Sequence, residues 1–253
     1  MKVFFANEFS QYNEEIILTI KNFKNSGTII GDGRRNVIKF FEIGDRLLNF
    51  KSFKQHNIIN RHVYKFYRKS KARRSFEYAH FLLDKKIYTP TPIAYIENHD
   101  FIGLTSSYYI TEQLENSFIL SEILLAKDFS DREEIIKGYT ALMYKLHENG
   151  IQFIDNAAGN FLVRKENGVY RFYIVDLNRM NFYDRIAIDN RLQNFARFTL
   201  DKDIMNIISN EYALLSGLSA EYCLKKISDA SNKMLLKRKV KKVLKFYKYF
   251  IKI

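Results

Sequence analysis

Residues 151–179 read IQFIDNAAGNFLVRKENGVYRFYIVDLNR. Three polar residues stand in this stretch beside runs of apolar ones: Asp155 after Ile-Gln-Phe-Ile, Asn160 before Phe-Leu-Val, and Asp176 after Phe-Tyr-Ile-Val. A carboxylate buried alone is costly, so such residues are paired, solvated in a cleft, or bound to a ligand. FLVRK and YRFYIVDL read as two short strands around the turn ENG, which puts Asp176 at a strand end.

Upstream, Ile135, Ile136, Tyr139, Leu142, Met143 and Leu146 recur at helical spacing, and Asn149-Gly150 stops the helix just before the quoted stretch. His147 is expected to be structural, packing beneath the loop. After Asn190 the chain reads as helical to its end. Residues 27–54 instead give three apolar runs, GTII, VIKFFEI and RLLNFKSF, punctuated by glycine turns, which is an antiparallel meander. Residues 68–84 place Phe76, Ala79, His80 and Leu83 on one helical face, and Pro90 and Pro92 end that helix. SSYYITEQL reads as a further strand. Strands with one helix followed by mostly helices imply an α+β protein of two lobes with a cleft between them. The expected division is 1–114, 115–232 and a basic amphipathic helix over 233–253.

The 253 residues can bury a sizeable core, and the composition is too apolar for global disorder. The lone Cys223 excludes an intrachain disulfide and suits a reducing compartment. The opening MKVFFANEFSQYNEE is a poor secretory signal, and no apolar run is long enough to span a bilayer. A cytoplasmic protein is therefore expected. The net charge of +13 is concentrated. Residues 46–76 run from Arg46 to Arg74 with no acid, and 233–253 carry Lys and Arg only; elsewhere acids outnumber bases. That distribution predicts two anion-facing surfaces.

A carboxylate and an amide suit magnesium held largely by phosphates, and a second carboxylate can orient an attacking hydroxyl. Asp155, Asn160 five residues on, a hairpin, and Asp176 at a strand end resemble the catalytic and metal-binding layout of the protein-kinase-like fold. The resemblance extends from about residue 26 to 200. It implies that Lys51 in LLNFKSF grips the phosphates of ATP and that Glu77 in RRSFEYA holds the lysine. Gly31 and Gly33 of GDGRRN fall where a loop covers the phosphates, and Glu112 to Leu114 where backbone groups meet adenine. The helix RSFEYAHFLL followed at once by TPTPIAYIE, the loop DNAAGNFLV, and IVDLNRM resemble the lipopolysaccharide kinase family. That resemblance implies a two-lobed kinase-like α+β fold, with a small antiparallel-sheet lobe and a helical lobe. It further implies transfer of the γ-phosphoryl of ATP to a Kdo or heptose hydroxyl of the lipid A core. Asp155 and Lys51 would be catalytic, Asn160 and Asp176 would hold Mg2+, and Arg179 would brace the metal loop. The chain departs from the family at Phe153-Ile154, where His-Gly is usual, and at Asn36, the third glycine position.

Each feature alone has a plainer reading. Lys51 could be a strand lysine reaching for water, Glu77 could pair with Arg73 or Arg74 on its own helix, and GDG could be a simple hairpin turn. A weakened pseudokinase, a small-molecule or protein kinase, and a nucleic-acid-binding protein are the competing classes. The last explains the charge but leaves three acid and amide residues facing phosphate without a metal. On a helix, Leu236, Val240, Val243, Leu244, Tyr247 and Ile251 gather beside Lys237, Lys241, Lys245, Lys248 and Lys252. This suits a helix on the anionic inner membrane surface, or one packed on the helical lobe with its lysines in water. Residues 61–74, with Tyr64, Phe66 and Tyr67 among cations, allow the same membrane reading.

Overall fold

A computed structural model describes residues 1–30, 36–53 and 68–250, with side chains described to residue 244 apart from Asn7. Gly31, Gly33 and residues 61–67 and 251–253 lie outside the described residues. The chain divides into two compact units. One comprises Met1–Asn116 with Tyr173–Asn178; the other comprises Ser117–Phe172 with Arg179–Ile253.

The first unit is built on a six-stranded antiparallel sheet. Its strands are β1 (Lys2–Phe5), β2 (Thr28–Ile30), β3 (Asn36–Ile43), β4 (Arg46–Phe53), β5 (Pro92–His99) and β6 (Leu104–Glu112), in the order β1-β5-β6-β4-β3-β2. The predicted meander is β2-β3-β4. Strand alternation sends successive side chains of β4 to opposite faces. Leu48 and Phe50 join Ile16, Ile20 and Phe23 from helix α1 (Asn13–Lys21) and the turn after it in a buried core. Lys51 and Phe53 therefore face the other way, toward the side of the sheet where α2 (Lys71–Asp84) packs on β5 and β6. Strand β5 is buried from Pro92 to Glu97, as befits a strand covered on both faces.

Helix α2 begins where Ser70 accepts a hydrogen bond from the Arg73 N–H, a standard N-cap. Its buried stripe is Ala72, Ser75, Ala79 and Leu82, rotated from the predicted Phe76-Ala79-His80-Leu83 face. Small side chains let a helix approach a sheet closely. Phe76 packs at the flank instead, 5.3 Å from Tyr95 between ring centroids.

The second unit contains β7 (Phe118–Ile119), α3 (Leu120–Leu125), α4 (Arg132–Glu148) and β8 (Ile151–Phe153). It continues with β9 (Phe161–Glu166), most of β10 (Val169–Ile174), β11 (Met180–Phe182), α5 (Ile188–Gln193), α6 (Lys202–Ser216) and α7 (Ala220–Phe250). Strands β10-β9-β7 form one small sheet and β11-β8 an antiparallel pair. Helix α4 packs on α6, and α6 on α7. Tyr139, Phe161, Phe195 and Tyr212 interlock edge to face in the core, and Phe198 stacks on Tyr139 at 3.9 Å.

Helix α7 runs without interruption through residue 233, so the predicted boundary there falls inside one helix. Its first half is docked through Cys223, Ile227 and Ser231, all buried. Its second half exposes Leu236, Val240, Val243 and Leu244, each about half or more open to solvent. Among the described residues no helix is long and apolar enough to cross a membrane.

Candidate active site

In the first unit the side chains of Lys51 and Asp176 meet although 125 residues separate them in sequence. Lys51 Nζ donates to Asp176 Oδ1 at 2.6 Å, and only 14% of the lysine side chain is exposed. The same carboxylate oxygen accepts from Asn178 Nδ2 at 2.7 Å. The Asn178 carbonyl in turn accepts from Arg74 of α2 at 2.7 Å. Asp176 adopts φ +60°, a left-handed conformation that Asp tolerates better than most residues and that clusters at functional sites. This turn ends the run of extended backbone that includes Ile174, whose carbonyl accepts from the Thr89 hydroxyl at 2.8 Å.

Glu77, expected to hold Lys51, is engaged elsewhere. Its carboxylate accepts from Lys69 at 2.8 Å and from Arg73, one turn back on its own helix, at 2.9 Å. These two cations keep its pKa below the usual value against the opposing effect of burial. The plainer reading of Glu77 describes this structure, and Asp176 takes its place beside Lys51. Glu112 sits at the end of β6, where its carboxylate pairs with Arg46 and its backbone N–H donates to the Thr91 carbonyl at 3.0 Å. The Gln113 N–H is likewise taken, by Leu47 O at 2.9 Å. Leu114, just past the strand, accepts from Gln113 Nε2 through its carbonyl at 3.4 Å.

In the second unit the turn after β8 carries Asp155. Arg179, expected to brace the metal loop, donates instead to Asp155 Oδ1 at 3.0 Å, and Arg197 donates to the same atom at 2.8 Å. Asn160 Nδ2 donates to the backbone carbonyl of Asp155, five residues earlier, at 2.8 Å, which closes the loop. That bond fixes the amide orientation, with the nitrogen toward the Asp155 carbonyl.

Beneath the loop lies a buried polar network. Asn194 Nδ2 donates to the Phe153 carbonyl at 2.8 Å, so its oxygen faces His147 Nε2 at 3.2 Å. His147 must then carry its proton on Nε2 and accept at Nδ1 from the Tyr212 hydroxyl, 3.0 Å away. Burial lowers the His147 pKa to about 4 despite the Asn194 hydrogen bond, so the ring is neutral. Asn156 completes the network. Its Nδ2 donates to the Asn194 carbonyl at 2.9 Å and its oxygen accepts from Tyr139 at 2.8 Å. Phe153 itself is fully buried and packs edge to face on Phe161. The loop is thus anchored from α4 and the segment around residue 194, without the His-Gly usual before the aspartate.

A profile of the lipopolysaccharide kinase (Kdo/WaaP) family matches residues 28–212, well over half the chain. The chain belongs to the lipopolysaccharide kinase family. Among solved structures, one titled "WaaP in complex with acyl carrier protein" superposes with a TM-score of 0.63 at 16% identity, covering 96% of this chain and 99% of that one. At that identity the likeness concerns fold, and the fold is the two-lobed kinase-like one. A structure of WbdD matches with a TM-score of 0.47 at 14% identity, covering 81% of this chain and 45% of that one. No curated protein matches the chain. Of the residues expected at the site from the sequence, Lys51 and Asp176 lie together in one unit, and Asp155 and Asn160 lie together in the other. Arg197, Asn194 and Asn156 carried no local signal, since each gains its role from residues tens of positions away.

Proposed function

We propose that this lipopolysaccharide kinase transfers the γ-phosphoryl group of ATP to a Kdo or heptose hydroxyl of the lipid A core. The observation that carries the reading is the Lys51–Asp176 pair, which joins a phosphate-gripping lysine to a metal-binding carboxylate. Lys51 holds the phosphates. Asn160 and Asp176 would hold Mg2+, offering two oxygens and leaving the remaining positions to phosphate and water, as that ion prefers. When bound, the ion neutralises charge on the transferring group. Asp155 orients the acceptor hydroxyl. Its Oδ1 is occupied by Arg179 and Arg197, so Oδ2 is the oxygen for the hydroxyl proton. Glu112 and Leu114 border the adenine. Catalysis in this scheme is positioning and charge neutralisation. The buried anchoring of the loop supports an active enzyme over a pseudokinase.

The exposed apolar residues and lysines of α7 support a peripheral role on the inner face of an anionic membrane, next to a lipid-anchored acceptor. A carrier protein is a second partner to test, because the WaaP structure contains acyl carrier protein. The deciding experiment incubates the protein with γ-labelled ATP, Mg2+ and, separately, lipid A–core glycolipid, an aminoglycoside, a protein substrate mixture and random oligonucleotides. Label is expected in the glycolipid alone. Label in another acceptor, or oligonucleotide binding without ATP turnover, would refute the proposal.

A further inference from the structure

Helix α2 brings a second ammonium group toward Lys51. Lys51 Nζ lies 5.4 Å from the centroid of the Phe53 ring, and Lys71 Nζ lies 6.0 Å from the same centroid. The ring is buried at the end of β4, so two cations meet one electron-rich apolar surface. Their situations differ. Lys51 has Asp176 as its partner, whereas Lys71 has no hydrogen bond or ion pair among the described residues.

The surroundings of Lys71 are also unfavourable to its charge. Partial burial lowers its pKa most; Asp176 pulls the other way, while Arg74, Lys51 and Arg68 push it down further. Asp176 already serves Lys51 and Asn178, so a single carboxylate faces several cations. A partly desolvated cation among like charges is unstable until an anion arrives. A net positive site around one carboxylate suits a polyanion better than a single phosphate.

We propose that Lys71 is a second phosphate-binding residue, contacting the polyphosphate of the nucleotide beside Lys51. This rests on the ATP reading above and adds to it a binding residue from the first turn of α2. With Glu77 held by Lys69 and Arg73, that helix serves the phosphates through its first lysine.

The test is equilibrium titration of the full chain with ATP, AMP and inorganic tripolyphosphate. Lys71→Met keeps the apolar stem and removes the charge; Lys71→Arg keeps the charge. Lys71→Met is expected to weaken ATP and tripolyphosphate about tenfold, the usual size of one charged hydrogen bond. AMP binding should stay unchanged and Lys71→Arg should recover most of the loss. If Lys71→Met melts early, Lys71→Gln carries the same comparison. Binding of ATP and tripolyphosphate within about twofold of wild type by the uncharged variant, while Lys51→Met binds neither, overturns the role of Lys71 alone. A wild type that binds neither ligand overturns both this role and the ATP reading.

Discussion

Replacing Asn194 by alanine removes the group that ties the Asp155 loop to the core of its unit. The side chain makes two hydrogen bonds, to the Phe153 carbonyl at 2.8 Å and with His147 Nε2 at 3.2 Å. Each is worth about 1 kcal/mol net, and a stranded donor on fully buried His147 adds about 1–2 kcal/mol. The expected loss is about 3 kcal/mol. For a chain of this size that corresponds to a melting temperature lower by about 6–12 °C. Circular-dichroism melts and urea titrations measure it. A double-mutant cycle with His147→Leu should return a coupling of about 1 kcal/mol or more, because the two side chains share a buried bond. In the kinase assay the same variant should lower kcat more than it raises KM for ATP, since the loop carries Asp155 and the phosphates are assigned to Lys51. Asn194→Ala within about 0.5 kcal/mol of wild type, or additive with His147→Leu, would refute the anchoring argument.

Other consequences follow from single positions. Gly150 has φ +69°, and a Cβ there would lie 1.9 Å from the Tyr183 carbonyl oxygen, so Gly150→Ala should cost about 4 kcal/mol or prevent folding. Gly217, at φ +73° with nothing within 4 Å, should cost only about 1 kcal/mol on the same change, and denaturant titration separates the two. His147, with a folded pKa of about 4 against 6.5 when unfolded, takes up its proton more readily in the unfolded chain. Its contribution is therefore complete above pH 6.5 and is lost as pH falls toward 4, about 2 kcal/mol of it by pH 5; His147→Gln should flatten that part of the stability profile. Tyr109, the cross-strand neighbour of Lys51, buries a hydroxyl that has no hydrogen-bond partner among the described residues. Tyr109→Phe should hold or raise stability by up to about 1 kcal/mol in thermal melts, and a loss of more than that would reveal a bound partner.

Much of the fold was legible because its signals are local. The glycine-punctuated runs of residues 27–54, the periodicity of α4 and the ENG hairpin each lie within one short window. Strand β1 and helix α1 escaped because four residues of strand carry little pattern, and Lys2–Phe5 is ordered by pairing with β5 some ninety residues later. The stripe of α2 was misjudged toward its bulky residues, while the sheet selects its small ones for close approach. At the site, residue types and order single out Lys51, Asp155, Asn160 and Asp176 as candidates, and the structure bonds Lys51 to Asp176 and Asn160 to the Asp155 backbone. The partners did not follow, because charge pairing is decided by tertiary placement: Glu77 turns to its own helix, Asp176 meets Lys51, and two arginines converge on Asp155. The loop that follows Phe153-Ile154 is held by partners distant in sequence: Asn194 donates to the Phe153 carbonyl and is backed by His147, and Asn156 of the loop bonds the Asn194 carbonyl and the Tyr139 hydroxyl.

The most direct test of the central claim is single-turnover phosphoryl transfer from Mg-ATP to purified lipid A–core by wild type, Asp155→Asn and Asp176→Asn. Both substitutions keep shape and remove charge. The account predicts transfer by wild type and a loss of about a hundredfold or more in each variant, with the folded state retained. Transfer by either variant within about twofold of a working wild type would contradict it.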